Sequence, residues 1–256
     1  MRIFIIGTGN VATHLSAALL KAGHNIEGVC GRNFSHTEEL AKKLNVKPFN
    51  SVSSIPVDAD VYLISVSDDS IAEVTAQMPD VEGIVAHTAG SVPMSALARF
   101  SRHGVFYPLQ SFSKSRTIDM SRVPLCIEGC NSETTDALLA LARSLSNDVC
   151  PMTTVQRAHL HLAAVFASNF VNSMYTEAEN ILKESNIPFD IMRELIAETA
   201  AKAADMGPTA AQTGPARRGD TRVMSRQMGL LPDSELQKLY SFVSERIQGR
   251  YKTTDK

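Results

Sequence analysis

The stretch that decides the fold is Ile3-Phe4-Ile5-Ile6-Gly7-Thr8-Gly9-Asn10-Val11-Ala12. The apolar run predicts a buried parallel strand, and the G-x-G-x-x-A pattern leads into an apolar helix that stops at Gly23. In this context Gly7 allows a tight turn, Gly9 lets a pyrophosphate approach the helix N-terminus, and Ala12 lets helix and strand pack closely. We therefore predict that residues 7–12 bind a dinucleotide. The alternative is a glycine turn in a cofactor-free α/β fold.

Composition favours a soluble cytoplasmic protein. The 256 residues carry a formal net charge of −2, with acids and bases interspersed, which argues against nucleic-acid and membrane-surface partners. The first apolar run is too short for a secretory signal peptide, and no segment has the ~18 continuous apolar residues of a membrane span. The four cysteines lack zinc spacing, so we expect reduced thiols and no metal site.

Strand and helix patterns alternate through the first 150 residues, which predicts a doubly wound parallel Rossmann sheet. The strand candidates after the opening one lie at 25–30, 61–64, 83–86, 104–107, 123–127 and 148–150, with a weaker one near Val46. Helix patterns lie between them, for example at 35–44 and 93–100. We assign residues 1–150 to a nucleotide-binding domain of the α/β class.

The sequence changes character after residue 150. Residues 153–184 contain no Gly or Pro and predict one long helix, whose middle, 159–174, is nearly all apolar. Such a helix is usually buried, here either in a homodimer interface or within one subunit. Further helices are predicted at 189–206 and 232–248, around a turn-rich stretch at 207–220. Residues 151–256 are therefore expected to form a smaller all-helical domain for substrate binding or dimerisation.

The end of the second strand indicates which dinucleotide is bound. A carboxylate for the adenosine ribose is missing there, because Glu27 stands too early in the strand. The strand end offers Arg32, Asn33 and Ser35 instead. A guanidinium beside amide and hydroxyl donors suits a 2′-phosphate, which predicts NADP(H). The alternative is that Arg32 is a solvated surface residue.

Two later strand ends should line the same crevice, because ligands of open α/β sheets bind at the carboxyl ends of strands. The two segments are 65–67 and 88–90. His87 comes directly before the second and is either a site residue or a core histidine. Tyr107, at the end of another strand, is a candidate for the pocket rim. The predicted cofactor-binding residues here are Ser65, Val66, Ser67, Thr88, Ala89 and Gly90.

Several motifs together resemble a known group of enzymes. They are GTGNVA at 7–12, CGRN at 30–33, HTAGS at 87–91, FYPLQSF at 106–112, HLAAVFASNF at 161–170 and TGPARRGD at 213–220. The chain resembles Rossmann-like NADP oxidoreductases with a C-terminal domain of unknown function. These are related to pyrroline-5-carboxylate reductase, deazaflavin-dependent NADP reductases and β-hydroxyacid dehydrogenases. The resemblance implies an NADP-binding domain and a helical substrate or dimerisation domain, but no substrate.

One departure from these relatives concerns the proton donor. β-Hydroxyacid dehydrogenases use Lys-x-x-x-Asn on the first long helix, where this chain has Val165 and Asn169. The lysine is absent, so another group must donate the proton. His161 is a candidate because an imidazole can both give and take a proton in neutral solution. The alternative for His161 is a core histidine hydrogen-bonded to backbone. Asn169 could orient the substrate or simply link helices.

The turn-rich stretch supplies the last candidates. Arg218 could clamp a substrate carboxylate through two hydrogen bonds, and Asp220 could orient Arg218 or cap the following helix. A structural loop closed by this pair is the alternative. We predict an NADPH-dependent reductase of a C=O or C=N bond in a small anionic metabolite. The second hypothesis is a non-catalytic NADP-binding sensor or scaffold, because fold alone does not grant activity.

Overall fold

The computed structural model describes residues 1–251. Within that range eight strands form one sheet. Their bounds are β1 Arg2–Ile6, β2 Asn25–Cys30, β3 Lys47–Phe49, β4 Val61–Ile64, β5 Ile84–His87, β6 His103–Pro108, β7 Leu125–Gly129 and β8 Val149–Pro151. The α/β class and the doubly wound arrangement predicted from the sequence are confirmed.

Eleven α-helices lie in the described part of the chain, most of them in its second half. Their bounds are α1 Asn10–Lys21, α2 Phe34–Leu44, α3 Ile71–Gln77, α4 Ser132–Arg143, α5 Thr154–Ala164, α6 Val171–Glu184, α7 Arg193–Met206, α8 Pro208–Ala211, α9 Pro215–Arg218, α10 Thr221–Met228 and α11 Ser234–Tyr251. No helix among residues 1–251 is long and apolar enough to cross a membrane.

The strand order is β3-β2-β1-β4-β5-β6-β7-β8. The chain moves outward in one direction from β1 to β3 and then returns to place β4 on the other side of β1. This reversal creates a switch point at the carboxyl ends of β1 and β4, where open sheets bind ligands. The glycine turn after β1 lies at this point.

Both faces of the central strand β1 are buried. Ile3 and Ile5 pack into one cluster with Leu15 and Leu19 of α1. Phe4 and Ile6 face the other layer, together with Tyr62. Since side chains alternate along a strand, burial of all four positions requires helices or loops on both faces. The continuous apolar run therefore fits a central strand that is covered on both faces.

The sheet differs from the prediction in its last two strands, β7 and β8, which run opposite to the others. β7 pairs antiparallel with β6, whereas the other strand pairs are parallel. The helix predicted at 93–100 is a short 3₁₀ turn, Met94–Leu97. This turn lies in the connection between β5 and β6, which still pair parallel, so that crossover is made without an α-helix. The apolar spacing alone does not reveal how long the helical turn is.

The long helix predicted at 153–184 is helical throughout but not uniform. α5 and α6 are joined by a π-helical segment, Val165–Phe170. The expectation that its apolar middle is buried within one subunit is wrong, because Leu162, Phe166 and Phe170 are 56%, 62% and 49% exposed in the single chain. The turn-rich stretch holds α8 and α9, and α10 follows directly after Asp220, where the sequence predicted no helix bounds.

Two compact units divide the chain, the first spanning Met1–Phe170 and the second beginning at Val171. The first unit contains the entire sheet, α1–α5 and the π-helical segment. The second unit is helical. The boundary predicted near residue 150 marks the change from strands to helices along the chain and stays a prediction.

Candidate functional site

A crevice of about 760 Å³ opens in the first unit at the carboxyl ends of β1, β2, β4 and β5. Most of the predicted cofactor-binding residues line this crevice. They are Gly7, Thr8, Gly9, Asn10, Val11, Arg32, Asn33, Ser65, Val66, Ser67, Thr88, Ala89 and Gly90. Residues from two further elements, Tyr107 of β6 and His161 of α5, complete one wall.

The two glycines of the turn differ in what they require. Gly7 has a φ of +125°, and a Cβ there would lie 2.1 Å from the Ser65 carbonyl oxygen, so the fold itself demands glycine. A Cβ at Gly9 would meet nothing within 4 Å. Gly9 thus leaves open space before the first turn of α1, which no side chain caps. Unpaired N–H groups at a helix N-terminus fit a pyrophosphate.

Hydrogen bonds connect the strand ends that form the floor of the crevice. The Gly7 amide donates to the Cys30 carbonyl at 2.7 Å, and the Ser65 amide donates to the Ile6 carbonyl. The Thr88 amide donates to the Ile64 carbonyl at 3.0 Å, and its hydroxyl donates to Ser65 Oγ at 3.3 Å. The crevice floor is therefore an extension of the sheet and is held rigidly.

Arg32 lies at the end of β2, exposed, with no ion pair among the described residues. Asn33 is the N-cap of α2, where its side chain accepts a hydrogen bond from the His36 amide at 3.2 Å. His36 also lines the crevice, together with Asn50 and Ser51. A guanidinium, an imidazole and amide and hydroxyl groups fit a phosphate monoester. Sequence reasoning missed His36, Asn50 and Ser51, because their order along the chain does not show which loops converge.

Tyr107 and His161 form a polar pair on the other wall of the crevice. The Tyr107 hydroxyl lies 3.0 Å from His161 Nδ1, and the rings meet edge to face. A Cβ at Gly90 would come within 2.4 Å of His161 Nδ1 and 2.8 Å of Tyr107 Cζ, so the Gly90 backbone packs directly against both. Burial raises the pKa of Tyr107, which keeps the phenol protonated at neutral pH.

His87, in contrast, is a core residue. Its side chain is fully buried and its Nδ1 accepts a hydrogen bond from the Ala89 amide at 3.2 Å. Burial, helped by the charge of Arg157, lowers the pKa of His87 to about 4. The imidazole is therefore neutral, and its bond to the Ala89 amide helps to hold the loop after β5 in place.

The remaining predicted site residues lie elsewhere. Ala12 is fully buried beneath the glycine turn, and Ser35 is exposed outside the crevice lining. Asn169 is exposed in the π-helical segment. Arg218 is exposed at the end of α9, and Asp220 is the N-cap of α10, accepting from the Val223 amide at 3.1 Å. No ion pair joins Arg218 to Asp220 in the described structure.

The sequence matches two family models over separate regions. Residues 2–89 match the family model described as "NADP oxidoreductase coenzyme F420-dependent". Residues 123–247 match the model of a domain of unknown function, DUF2520. A comparison with curated protein sequences gives no match. The fold, the glycine turn at residues 7–12, which we call the glycine cradle, and these matches define the class of protein. It is a Rossmann-type oxidoreductase that takes a nicotinamide cofactor.

Solved structures identify the family. A Bacteroides fragilis protein described as a "putative NADP oxidoreductase" is 39% identical with a TM-score of 0.90, over 97% of this chain and 98% of that chain. A Thermotoga maritima protein is 20% identical with a TM-score of 0.78, over 95% and 99%. A 1-pyrroline-5-carboxylate reductase from Streptococcus pyogenes shares the fold, at 14% identity and a TM-score of 0.64, over 99% and 98%. The chain belongs to the NADP oxidoreductase family of the Bacteroides protein.

Proposed function

We propose that the protein is an NADPH-dependent reductase of a C=O or C=N bond in a small anionic metabolite. The observation that carries this proposal is the hydrogen-bonded pair of Tyr107 and His161, which lies in the same crevice as the glycine cradle. A bound nicotinamide supplies a hydride to the acceptor carbon. The pair supplies the proton that the reduction also requires.

Tyr107 is the proton donor in this proposal. Burial raises its pKa, so the hydroxyl stays protonated until a stronger base forms beside it. When the substrate is reduced, its oxygen or nitrogen takes the Tyr107 proton. His161, whose Nδ1 lies 3.0 Å away, then returns a proton to Tyr107 and takes one from solvent. This route replaces the lysine that is missing at Val165.

The acceptor class rests on two lines of support. One of the structural neighbours is named a pyrroline-5-carboxylate reductase, an enzyme for a cyclic imine that bears a carboxylate. Arg218 is exposed and has no ion pair in residues 1–251, so its planar guanidinium is free for a substrate carboxylate. We assign Arg218 this clamp, and Asn169 the orientation of the substrate.

The cofactor assignment is tested by titrating NADPH and NADH separately while following nicotinamide fluorescence. Wild-type protein should bind NADPH more tightly. Arg32→Ala should weaken NADPH binding about 10- to 100-fold, as loss of a hydrogen-bonded charge predicts, and leave NADH binding almost unchanged. Arg143→Ala, at an exposed arginine of α4 outside the crevice, is the matched control. A tenfold preference of the wild type for NADH refutes the assignment.

The reaction is tested with a panel of 2-oxo acids and cyclic imino acids, following NADPH oxidation. His161→Asn should lower kcat by about 10²- to 10⁴-fold, the usual contribution of a positioned acid, while NADPH affinity is retained. His159→Asn is the control, because His159 lies on α5 but outside the crevice and bonds the Val155 carbonyl. Equal losses in both variants would remove His161 from the mechanism.

A non-catalytic sensor is the competing function. It predicts tight NADPH binding without NADPH oxidation across the whole panel. The Tyr107–His161 pair favours the enzyme, because a sensor has no use for a proton donor beside the cofactor crevice.

We also propose a homodimer. Leu162, Phe166 and Phe170 recur every fourth residue and expose about half of each side chain; we call them the apolar stripe. Phe166 and Phe170 stack edge to face at 4.8 Å. A contiguous exposed stripe of this kind is typical of a subunit interface.

A further inference from the structure

Arg157 is the largest fully buried side chain of the described residues and carries a charge there. It lies on α5, one turn before His161, and is 1% exposed. Its Nη2 donates to the Val92 carbonyl at 2.7 Å and lies 3.3 Å from Glu128 Oε2. Its Nε and Nη1 have no hydrogen-bond partner in the described structure. A buried cation with two unpaired donors is costly, so it calls for a functional explanation.

Glu128 ties the beginning of α5 to the sheet. Its carboxylate accepts from the Thr154 amide and the Thr154 hydroxyl, each at 2.8 Å, and it is the counter-charge of Arg157. One carboxylate on β7 therefore fixes both the first turn of α5 and the arginine one turn later. The rotation of α5 about its axis, which decides where His161 points, is set by these bonds.

Arg157 also ties α5 to the loop after β5, residues 88–93. Its bond to the Val92 carbonyl is two residues beyond Gly90, whose backbone packs on His161. Helix and loop are thus joined at two neighbouring points, the Arg157 bond and the Gly90 contact. This loop also carries Thr88 and Ala89, which line the cofactor crevice.

The charge of Arg157 acts on the groups around Tyr107. Burial raises the pKa of Tyr107, Cys126 and Asp68 raise it further, and Arg157 lowers it. At His87 the same charge adds to burial in lowering the pKa. Arg157 thus opposes protonation of His87 and offsets part of the cost of ionising Tyr107.

We propose that Arg157 is a positioning residue of the reduction: it holds the loop 88–93 against α5 and stabilises the phenolate that forms when Tyr107 gives up its proton. This inference rests on the proposed function. The proton leaves Tyr107 Oη for the substrate oxygen or nitrogen, and His161 then returns a proton to the phenolate. During that interval the guanidinium, fixed by the Val92 carbonyl and Glu128, opposes the negative charge of the phenolate.

The electrostatic part is tested by titrating Tyr107 by ultraviolet absorbance, with Tyr107→Phe subtracting the other four of the five tyrosines. Arg157→Met should raise the pKa of Tyr107, with an ionisation constant about tenfold smaller. Arg157→Lys keeps the charge and should restore most of the wild-type value. An unchanged Tyr107 titration in Arg157→Met overturns the electrostatic role.

The positioning part is tested by amide hydrogen exchange. Arg157→Met should speed exchange in the loop 88–93 about tenfold or more, because the tie to Val92 is lost. Arg99→Met is the matched control, since Arg99 also bonds backbone carbonyls, those of Thr75 and Met78, away from the crevice. If the loop exchanges equally fast in the two variants, Arg157 has only a general structural role.

A further variant covers the case in which Arg157→Met does not fold. Glu128→Gln keeps the size of the side chain and the charge of Arg157, so it should loosen the loop while Tyr107 titrates no higher than in the wild type. A higher Tyr107 pKa in Glu128→Gln contradicts the proposal. Neither measurement uses substrate, so a failure to find reductase activity remains distinguishable from a failure of this inference.

Discussion

Gly7 and Gly9 look alike in the sequence but meet different constraints. At Gly7 the limit is internal, a positive φ and the Ser65 carbonyl oxygen. At Gly9 the backbone is extended and the space beside it is empty. The fold explains the glycine at position 7, whereas at position 9 we attribute the glycine to the bound pyrophosphate.

This difference predicts opposite effects of two alanine substitutions. Gly7→Ala should lower the free energy of unfolding by roughly 3 kcal/mol or more, through a strained φ and a steric clash. Gly9→Ala should leave stability nearly unchanged and weaken NADPH binding about tenfold, because its methyl group occupies the space of a phosphate oxygen. Urea unfolding and NADPH titration of both variants check this. Equal destabilisation by both would contradict the assignment.

The sequence offered His161 as a polar residue on an apolar helix and Tyr107 as a pocket-rim residue, but it did not show that the two side chains meet. Tyr107 is 54 positions away, on β6, and stands at the end of an ordinary buried strand. Arg157 gave no signal either, because an arginine near the start of a helix is usually solvated. Pairings between distant elements depend on how the helix packs on the sheet.

Among the elements, α5 positions the proposed chemistry. Thr153 and Gln156 form a capping box at its N-terminus, with the Thr153 side chain bonded to the Gln156 amide and the Gln156 side chain bonded to the Thr153 amide. Beyond its C-terminus the π-helical segment follows. Because a π turn holds more residues than an α turn, Asn169 does not keep the position relative to His161 that a regular α-helix would give it.

The capping box gives a prediction at this scale. Thr153→Ala should lower the free energy of unfolding by about 1 kcal/mol and also speed exchange in the loop 88–93, since α5 carries Arg157 and His161. Asn131→Ala removes the corresponding cap of α4, which carries neither residue. It should cost about the same stability and leave the loop unchanged. Hydrogen exchange with urea unfolding separates the outcomes, and a response of the loop in both variants argues against the link.

At the scale of the molecule, the buried His87 makes stability depend on pH. Its pKa is about 4 in the folded protein against 6.5 for an ordinary histidine. Folding favours the neutral form of His87. Its contribution to the free energy of unfolding is therefore complete above pH 6.5 and is lost as the pH falls toward 4. The size is at most about 3 kcal/mol.

His87→Gln should therefore flatten the fall in the free energy of unfolding between pH 6.5 and 4. His159→Asn, at an exposed histidine of α5, should keep the wild-type slope. Urea unfolding at several pH values measures both. Parallel curves for wild type and His87→Gln would mean that other groups cause the acid sensitivity.

The apolar stripe predicts the assembly state. Sedimentation of the wild type should give a dimer, and Phe166→Glu should give monomers, because a charge would have to be buried at the interface. Val57→Glu is the control, at an exposed apolar residue of the first unit away from the stripe. A wild type that is monomeric at all concentrations excludes the dimer.

The sequence by itself determined the βα unit, the Rossmann class and the family, because these follow from local patterns: an apolar strand, a glycine turn and a helix at its end. It also located Arg32 at a strand end. Only the tertiary structure decided that Tyr107 meets His161, that Arg157 is buried against Glu128, and that the apolar stripe remains exposed. These contacts depend on packing between elements far apart in the chain. The residues next to each of them in the sequence do not show which distant element it will meet.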